Sequence, residues 1–181
     1  MDTGRLVKVS KYLSRHLRHE PERLGLELEP GGWVRVDDLL AACARRSFAL
    51  TREELEEVVA RNDKRRFSFD VARTRIRANQ GHSVEVDLGL APLEPPEVLY
   101  HGTAMPRLDR IMTEGLRRMG RHHVHLSPDA GTAARVGARY GKPVVLEIAA
   151  GRMAADGHVF YVSDNGVWLT DAVPPGYLTA P

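Results

Sequence analysis

Cysteine is nearly absent: Cys43 alone stands in the 181 residues. That excludes an internal disulfide, a cysteine-based zinc site and an iron–sulfur cluster, and it makes a reducing cytoplasm the simplest home. No apolar run approaches the ~18 residues of a membrane span. The opening MDTGRLVKVSKY scatters charges where an export signal needs an apolar stretch, so a soluble, unexported protein is expected. A dominant charge is lacking too. The 26 Lys+Arg and 24 Asp+Glu leave a formal +2, too little to hold a long nucleic acid by counterion release, so phosphate must be bound by local clusters and recognition limited to a short patch. There is no GxGxxG after a strand, no Walker lysine motif, no internal repeat and no low-complexity tract, so neither a Rossmann nor a P-loop nucleotide site is indicated.

What is present fits an ordinary globular chain with one core or two small lobes. Leu6, Val9, Leu13 and Leu17 recur at three- and four-residue spacing and predict an amphipathic helix over residues 4–18, with Lys8, Lys11, Arg15 and Arg18 opposite. PGGWV (30–34) reads as a turn and short extended piece, after which Asp37 is expected to cap a helix through DDLLAACA. Thr51 and Glu54 form a capping box for a third helix. FSFDV, RTRIRA and HSVEVDL alternate as hairpin strands, so the first lobe, residues 1–88, is expected to be winged-helix-like. GLAPLEPPE (89–97) holds three prolines and serves as the linker. The second lobe, residues 98–181, opens with the strand VLYHGT. Pro106 and Gly115 bracket a helix, Ser127 and Pro128 begin another ending at Gly141, and HHVHLS, PVVLEIA, HVFYVS and GVWLT are strands, the last two joined at Asn165-Gly166. The fold class is α+β.

Three stretches hold most of the unusual residues: Arg15 to His19, Arg75 to Ser83, and Arg121 to His125. Guanidinium groups bind phosphate in a bidentate way, and a histidine near pH 7 donates to it or shuttles a proton. The bland reading of an Arg-rich helix is a solvated face. Arg18 and Arg77 resist it, one at a helix end before a Pro-containing turn, the other in strand alternation beside Asn-Gln-Gly. His122, His123 and His125 have a metal-site reading, but no carboxylate or cysteine stands near in sequence to complete it, and the expectation is no metal. His101-Gly102-Thr103 at a strand end can set an imidazole against a ligand while glycine allows close backbone approach. Trp33 and Trp168 are expected to pack the lobes rather than stack on bases.

Together these residues resemble the RNA 2′-phosphotransferase family. The likeness runs in order through VSKYLSRHLRHEPERLGLELEPGGWVRVDDLL, RNDKRRFSF, RIRANQGHS, LYHGT, RHHVHLS and FYVSDNGVWLT, nearly the whole chain. It implies an N-terminal winged-helix-like lobe that grips an RNA 2′-phosphate and a C-terminal lobe of ADP-ribosyltransferase fold that binds NAD as co-substrate. By motif, the family's catalytic Arg, His, Arg and Arg fall on Arg18, His19, Arg77 and Arg121. His101 and His125 match positions where ADP-ribosyltransferases hold the NAD ribose and nicotinamide, and Gly102, Thr103 and Ser127 complete the expected cofactor set. Lys11, Arg15 and His82 stand as further phosphate or RNA contacts, or as surface and turn residues. The late glutamate of many transferases of this fold is missing from the Asn165 to Trp168 region, which speaks against ordinary protein mono-ADP-ribosylation.

The implied reaction moves an internal 2′-phosphate from a tRNA-like RNA to NAD. The phosphate attacks C1″ of the NAD ribose, nicotinamide leaves, and the ADP-ribose 2″-hydroxyl then attacks phosphorus. The products are 2′-hydroxyl RNA and ADP-ribose 1″,2″-cyclic phosphate. A dianionic nucleophile needs positioning and no base. One alternative is an ADP-ribosyltransferase that modifies nucleic-acid phosphate ends or a protein and stops after the first step; another is a non-catalytic winged-helix nucleic-acid-binding module. Monomer is the default oligomeric expectation.

Overall fold

A computed structural model describes residues 1–181. The fold is mixed α/β, with six α-helices and small antiparallel sheets. It divides into two compact units, Met1–Gly89 and Leu90–Pro181, each with its own apolar cluster. No helix is long and apolar enough to cross a membrane.

The first unit opens with helix α1 (Thr3–Arg18), capped by Asp2, whose carboxylate accepts the Arg5 N–H at 2.8 Å. Val9, Leu13 and Leu17 are fully buried, the stripe expected of an amphipathic helix packed on a core. A 3₁₀ turn (Pro21–Leu24) follows, then strand β1 (Trp33–Arg35), helix α2 (Val36–Arg45), helix α3 (Arg52–Arg61) and strands β2 (Phe67–Phe69) and β3 (Arg75–Ala78). The capping box at α3 is made as expected. Thr51 Oγ1 accepts the Glu54 N–H and Glu54 returns a carboxylate to the Thr51 N–H, both at 3.2 Å, an arrangement contributing about 1 kcal/mol. Arg5 of α1 pairs with the same Glu54 at 2.9 Å, which ties the two helices together.

Two expectations fail here. Asp37 does not cap α2; the helix starts two residues earlier than that, with Arg35 at the cap and Asp37 and Asp38 in the first turn, where their charge favours the helix N-terminus. HSVEVDL is not a strand. The sheet order is β1-β3-β2, so both edges of β3 are already taken. The backbone of the segment bonds elsewhere: Ser83 N–H donates to the Arg18 carbonyl at 2.9 Å, and the Asp87 carbonyl accepts from Gly31 at 2.7 Å. Its alternation of covered and exposed side chains is real, but alternation reports burial and not pairing.

In the second unit, residues 90–97 run along the fold, with Leu93 N–H bonded to the Phe160 carbonyl at 2.9 Å and Pro95 buried. Strand β4 (Leu99–Ala104) leads into helix α4 (Met105–Glu114), with Pro106 in its first turn and Gly115 at its end. Strands β5 (Leu116–Arg117) and β6 (Val124–Leu126), helix α5 (Ala130–Gly137), strand β7 (Pro143–Ile148), helix α6 (Ala150–Ala155), and strands β8 (Tyr161–Val162), β9 (Trp168–Thr170), β10 (Ala172–Val173) and β11 (Leu178–Thr179) complete it. Three-stranded sheets β11-β7-β4 and β6-β9-β8 meet where Tyr100 and Ser127 exchange both backbone hydrogen bonds at 2.8 Å. The helix expected from Ser127 to Gly141 is shorter. Asp129 caps it, accepting the Thr132 N–H at 2.7 Å, because Ser127 is committed to Tyr100.

Helix α5 lies directly on β4 through two glycines. A β-carbon on Gly102 would sit 1.6 Å from the Ala133 carbonyl oxygen, and one on Gly137 2.4 Å from that of Thr103. No side chain fits between these backbones, so Gly102→Ala is expected to lower unfolding stability by about 3 kcal/mol through overpacking. Urea melts check this. A wild-type midpoint would mean that α5 and β4 are not in contact.

Candidate functional site

Arg18 ends α1, where a positive charge faces the negative end of the helix dipole. Its side chain is buried. Its carbonyl accepts the N–H groups of Ser83 and Val84 at 2.9 and 3.4 Å, so the turn after β3 is stitched to the end of α1. That stitching brings Gly81 against the Arg18 guanidinium, with a β-carbon position 3.6 Å from Nη1. It also sets Ser83 Oγ 2.8 Å from His19 Nδ1, which fixes the imidazole. Arg77 projects from β3 opposite Trp33 of β1. Its guanidinium lies 4.5 Å from the indole centroid, and Nη1 donates to the Gly31 carbonyl at 3.2 Å. His82 is buried beside Gly32, with Nε2 3.2 Å from the β-carbon position. Gly31 and Gly32 both have positive φ, which lets this backbone pass between Arg77 and His82.

Arg18, His19, Arg77 and His82 are thus gathered around two turns, residues 31–33 and 81–83. Lys11 and Arg15 lie on the exposed side of α1, and Arg15 forms an ion pair with Glu20 at 2.5 Å. Sequence reading gave no site role to Trp33, Ser83, Asn79 or Gln80. Asn79 Oδ1 and Gln80 Oε1 are buried acceptors without a hydrogen-bond partner. The signal available for them was their place inside RIRANQGHS; for Trp33 it was a cross-strand pairing over more than forty residues, which no local pattern reveals.

In the second unit β4 carries His101, and β6, bridged to it at Tyr100 and Ser127, carries His125. His101 Nδ1 lies 3.1 Å from the His125 carbonyl oxygen. A carbonyl only accepts, so Nδ1 holds the proton and Nε2 of the neutral ring is an acceptor. Burial pushes the His101 pKa down, only partly opposed by that hydrogen bond. Arg121 Nη1 lies 3.0 Å from His125 Nδ1. Arginine only donates, so His125 Nδ1 accepts and its Nε2 is the protonated nitrogen. His123 is half-covered, faces Tyr161 at 5.5 Å, and is also shifted down by burial despite Asp171 at 3.9 Å. Thr103 is buried and Gly102 is covered by α5, so these two shape the strand beneath His101. No group of three His, Cys, Asp or Glu side chains is placed to hold a metal ion.

Guanidiniums and imidazoles seated on glycine turns and strand ends have the chemistry to hold a phosphate. The comparisons with known proteins give the family. A model of the RNA 2′-phosphotransferase, Tpt1 / KptA family, matches residues 4–172. A "Probable RNA 2′-phosphotransferase" of Nostoc punctiforme is 61% identical over 98% of this chain and 98% of its own. Proteins of the same name from Streptomyces griseus and Streptomyces coelicolor are 62% and 61% identical, covering 98% and 100% of this chain and 98% of each relative. The chain belongs to the RNA 2′-phosphotransferase family, and with it to the transferases.

Because His101 is held neutral, the folded second unit binds fewer protons than the unfolded chain once pH falls below about 6.5. The stability it contributes is complete above that value and is lost as pH falls toward the depressed folded value. Urea midpoints are therefore expected to fall between about pH 7 and pH 5, and His101→Gln to flatten the slope without abolishing it, since His123 titrates in the same sense. An identical slope in the variant would place the titration elsewhere.

Proposed function

We propose that this chain removes an internal 2′-phosphate from tRNA-like RNA and passes it to NAD. Its first unit serves as the winged-helix-like phosphate-gripping lobe, and its second as an NAD-binding lobe of the ADP-ribosyltransferase kind. One observation carries the reading. Arg18, His19 and Arg77, separated by nearly sixty residues in sequence, are gathered around the turns at 31–33 and 81–83. The three-helix and β1-β3-β2 arrangement agrees with a winged helix.

Each residue has a task that its environment suits. Arg18 and Arg77 fix the oxygens of the 2′-phosphate and orient it for attack. Burial limits solvent screening around Arg18, so its pull on a dianion exceeds that of a surface arginine. In the second unit, the acceptor nitrogen of His101 suits a ribose hydroxyl of NAD, while His125 supplies the complementary donor and Ser127 lies beside it. NAD supplies the electrophilic ribose carbon, with nicotinamide as leaving group. In the second step charge grows on the phosphoryl oxygens, where Arg18, Arg77 and Arg121 stabilise it without proton bookkeeping. His19, oriented by Ser83, gives the proton to the departing RNA 2′-oxygen, a role worth roughly a hundred- to ten-thousandfold. The reaction as assigned needs no metal, and the protein is placed in the cytoplasm as a monomer.

The test is incubation of the protein with NAD and a short RNA bearing one internal 2′-phosphate, with products identified by mass. Dephosphorylated RNA and ADP-ribose 1″,2″-cyclic phosphate are expected. A stable ADP-ribosyl adduct would instead support a transferase that stops after the first step. Arg77→Ala and Arg121→Ala are expected to leave the fold intact, with at most a few degrees lost from the melting temperature when Arg77 leaves Trp33, and to cut turnover at least ~100-fold. Lysine should rescue poorly, because it keeps the charge and loses the two-pronged fork. Normal turnover in either alanine variant would remove that arginine from the mechanism.

A further inference from the structure

On the first unit, the C-terminal half of α1, the 3₁₀ turn and the end of α2 enclose an open basin of about 340 Å³ that none of the assigned chemistry uses. It is lined by Tyr12, Arg15, His16, Arg23, Leu24 and Arg46. Three guanidiniums around one depression would repel one another were nothing between them. Glu20 supplies part of the compensation: its Oε2 takes Nε of Arg15 at 2.5 Å and Nε of Arg23 at 3.2 Å. Each guanidinium carries five N–H donors, so a single bond at Nε leaves the terminal Nη groups of Arg15 and Arg23 to other acceptors. Arg46 lies at the C-terminal cap of α2, exposed and with no carboxylate partner. The basin is therefore left with an excess of positive charge and unused fork donors. Its wall is rigid, because Tyr12 is stacked flat on Phe48 at 3.7 Å and meets His16 edge-on at 4.5 Å.

We propose that this basin is a second phosphate subsite, which takes a backbone phosphodiester of the RNA next to the 2′-phosphorylated nucleotide. The proposal rests on the function proposed above. Position supports it: Arg15, in the last turn of α1, precedes the cap residue His19 by four positions, so the basin begins about one helical turn, ~5.4 Å, from His19. That is of the order of the spacing between successive phosphates on a strand. The near-neutral chain needs such local clusters to hold RNA. Arg23 and Arg46 take no part in the reaction, so their contribution should appear in substrate binding alone.

The experiment uses Arg23→Ser, Arg46→Ser and the double variant in the full chain. Two substrates are compared: an oligoribonucleotide with one internal 2′-phosphate and flanking phosphodiesters, and a 2′-phosphorylated mononucleotide that has none. KM for the oligomer is expected to rise about fivefold per arginine, with kcat and the mononucleotide KM unchanged. In a parallel arm, fluorescence anisotropy follows binding of a plain oligoribonucleotide as salt is varied. The slope of log affinity against log salt should fall by about 0.7 for each phosphate that the variant no longer neutralises. An unchanged oligomer KM with an unchanged salt slope would overturn the subsite, and so would an equal rise in KM for both substrates. If the wild-type protein transfers phosphate from neither substrate, the proposed reaction fails, while the anisotropy arm still decides whether the basin binds RNA phosphate.

Discussion

The carbonyl oxygen of Arg18 is the point on which the first unit's site depends. It is one of the acceptors that every helix C-terminus leaves outside its own ladder, and it is satisfied by the N–H groups of Ser83 and Val84 from the segment after β3. That bond closes a loop of more than sixty residues, and it does so at an arginine of the proposed site. Gly81 is then pressed against Arg18, and Ser83 Oγ meets His19. Placement of the site is thus a by-product of finishing a helix. The same bonding explains why HSVEVDL does not become a strand, since a backbone that bonds to α1 cannot also ladder.

Much of this is legible in sequence where the signal is local. The stripe of Val9, Leu13 and Leu17, the Thr51–Glu54 capping box, and the Pro106 to Gly115 bracket around α4 are short-range patterns with one physical meaning, and each corresponds to the element found. A local pattern misleads where it has two meanings. Alternation in HSVEVDL records one covered face, which a loop lying on a core shows as well as a strand does. Asp37 and Ser127 are good cap residues by type, but Val36 already begins α2 and Ser127 is bonded to Tyr100. Helix α6 and the two-residue pair β5 and β10 leave no sequence signature, because six residues or fewer carry too little periodicity.

The site residues divide in the same way. Their identities stand out as Arg and His clusters, yet their partners are invisible in sequence, because each lies on a distant segment. Trp33 faces Arg77 only because β1 pairs with β3. An indole face under a guanidinium adds roughly 0.5–1 kcal/mol when exposed and more when dry. It also restricts a long side chain whose rotamer freedom would otherwise be lost on binding. Trp33 is therefore a packing residue whose function is to hold a charge in place, a middle ground between core filler and base-stacking platform.

The second unit's candidate site is ordered by another route. Arg121 can only donate, so His125 Nδ1 must accept and its Nε2 must donate; the His125 carbonyl can only accept, so His101 Nδ1 must donate and its Nε2 must accept. Two chemically identical side chains are thereby given opposite hydrogen-bonding polarity by their neighbours. Burial keeps His101 neutral and protects that polarity at pH 7. A pair fixed as one donor and one acceptor can read the direction of a ligand's hydroxyl and amide groups, which charge alone cannot do. On the proposed function, the first unit, built on buried and turn-held arginines, binds by charge, and the second, built on oriented imidazoles, by polarity.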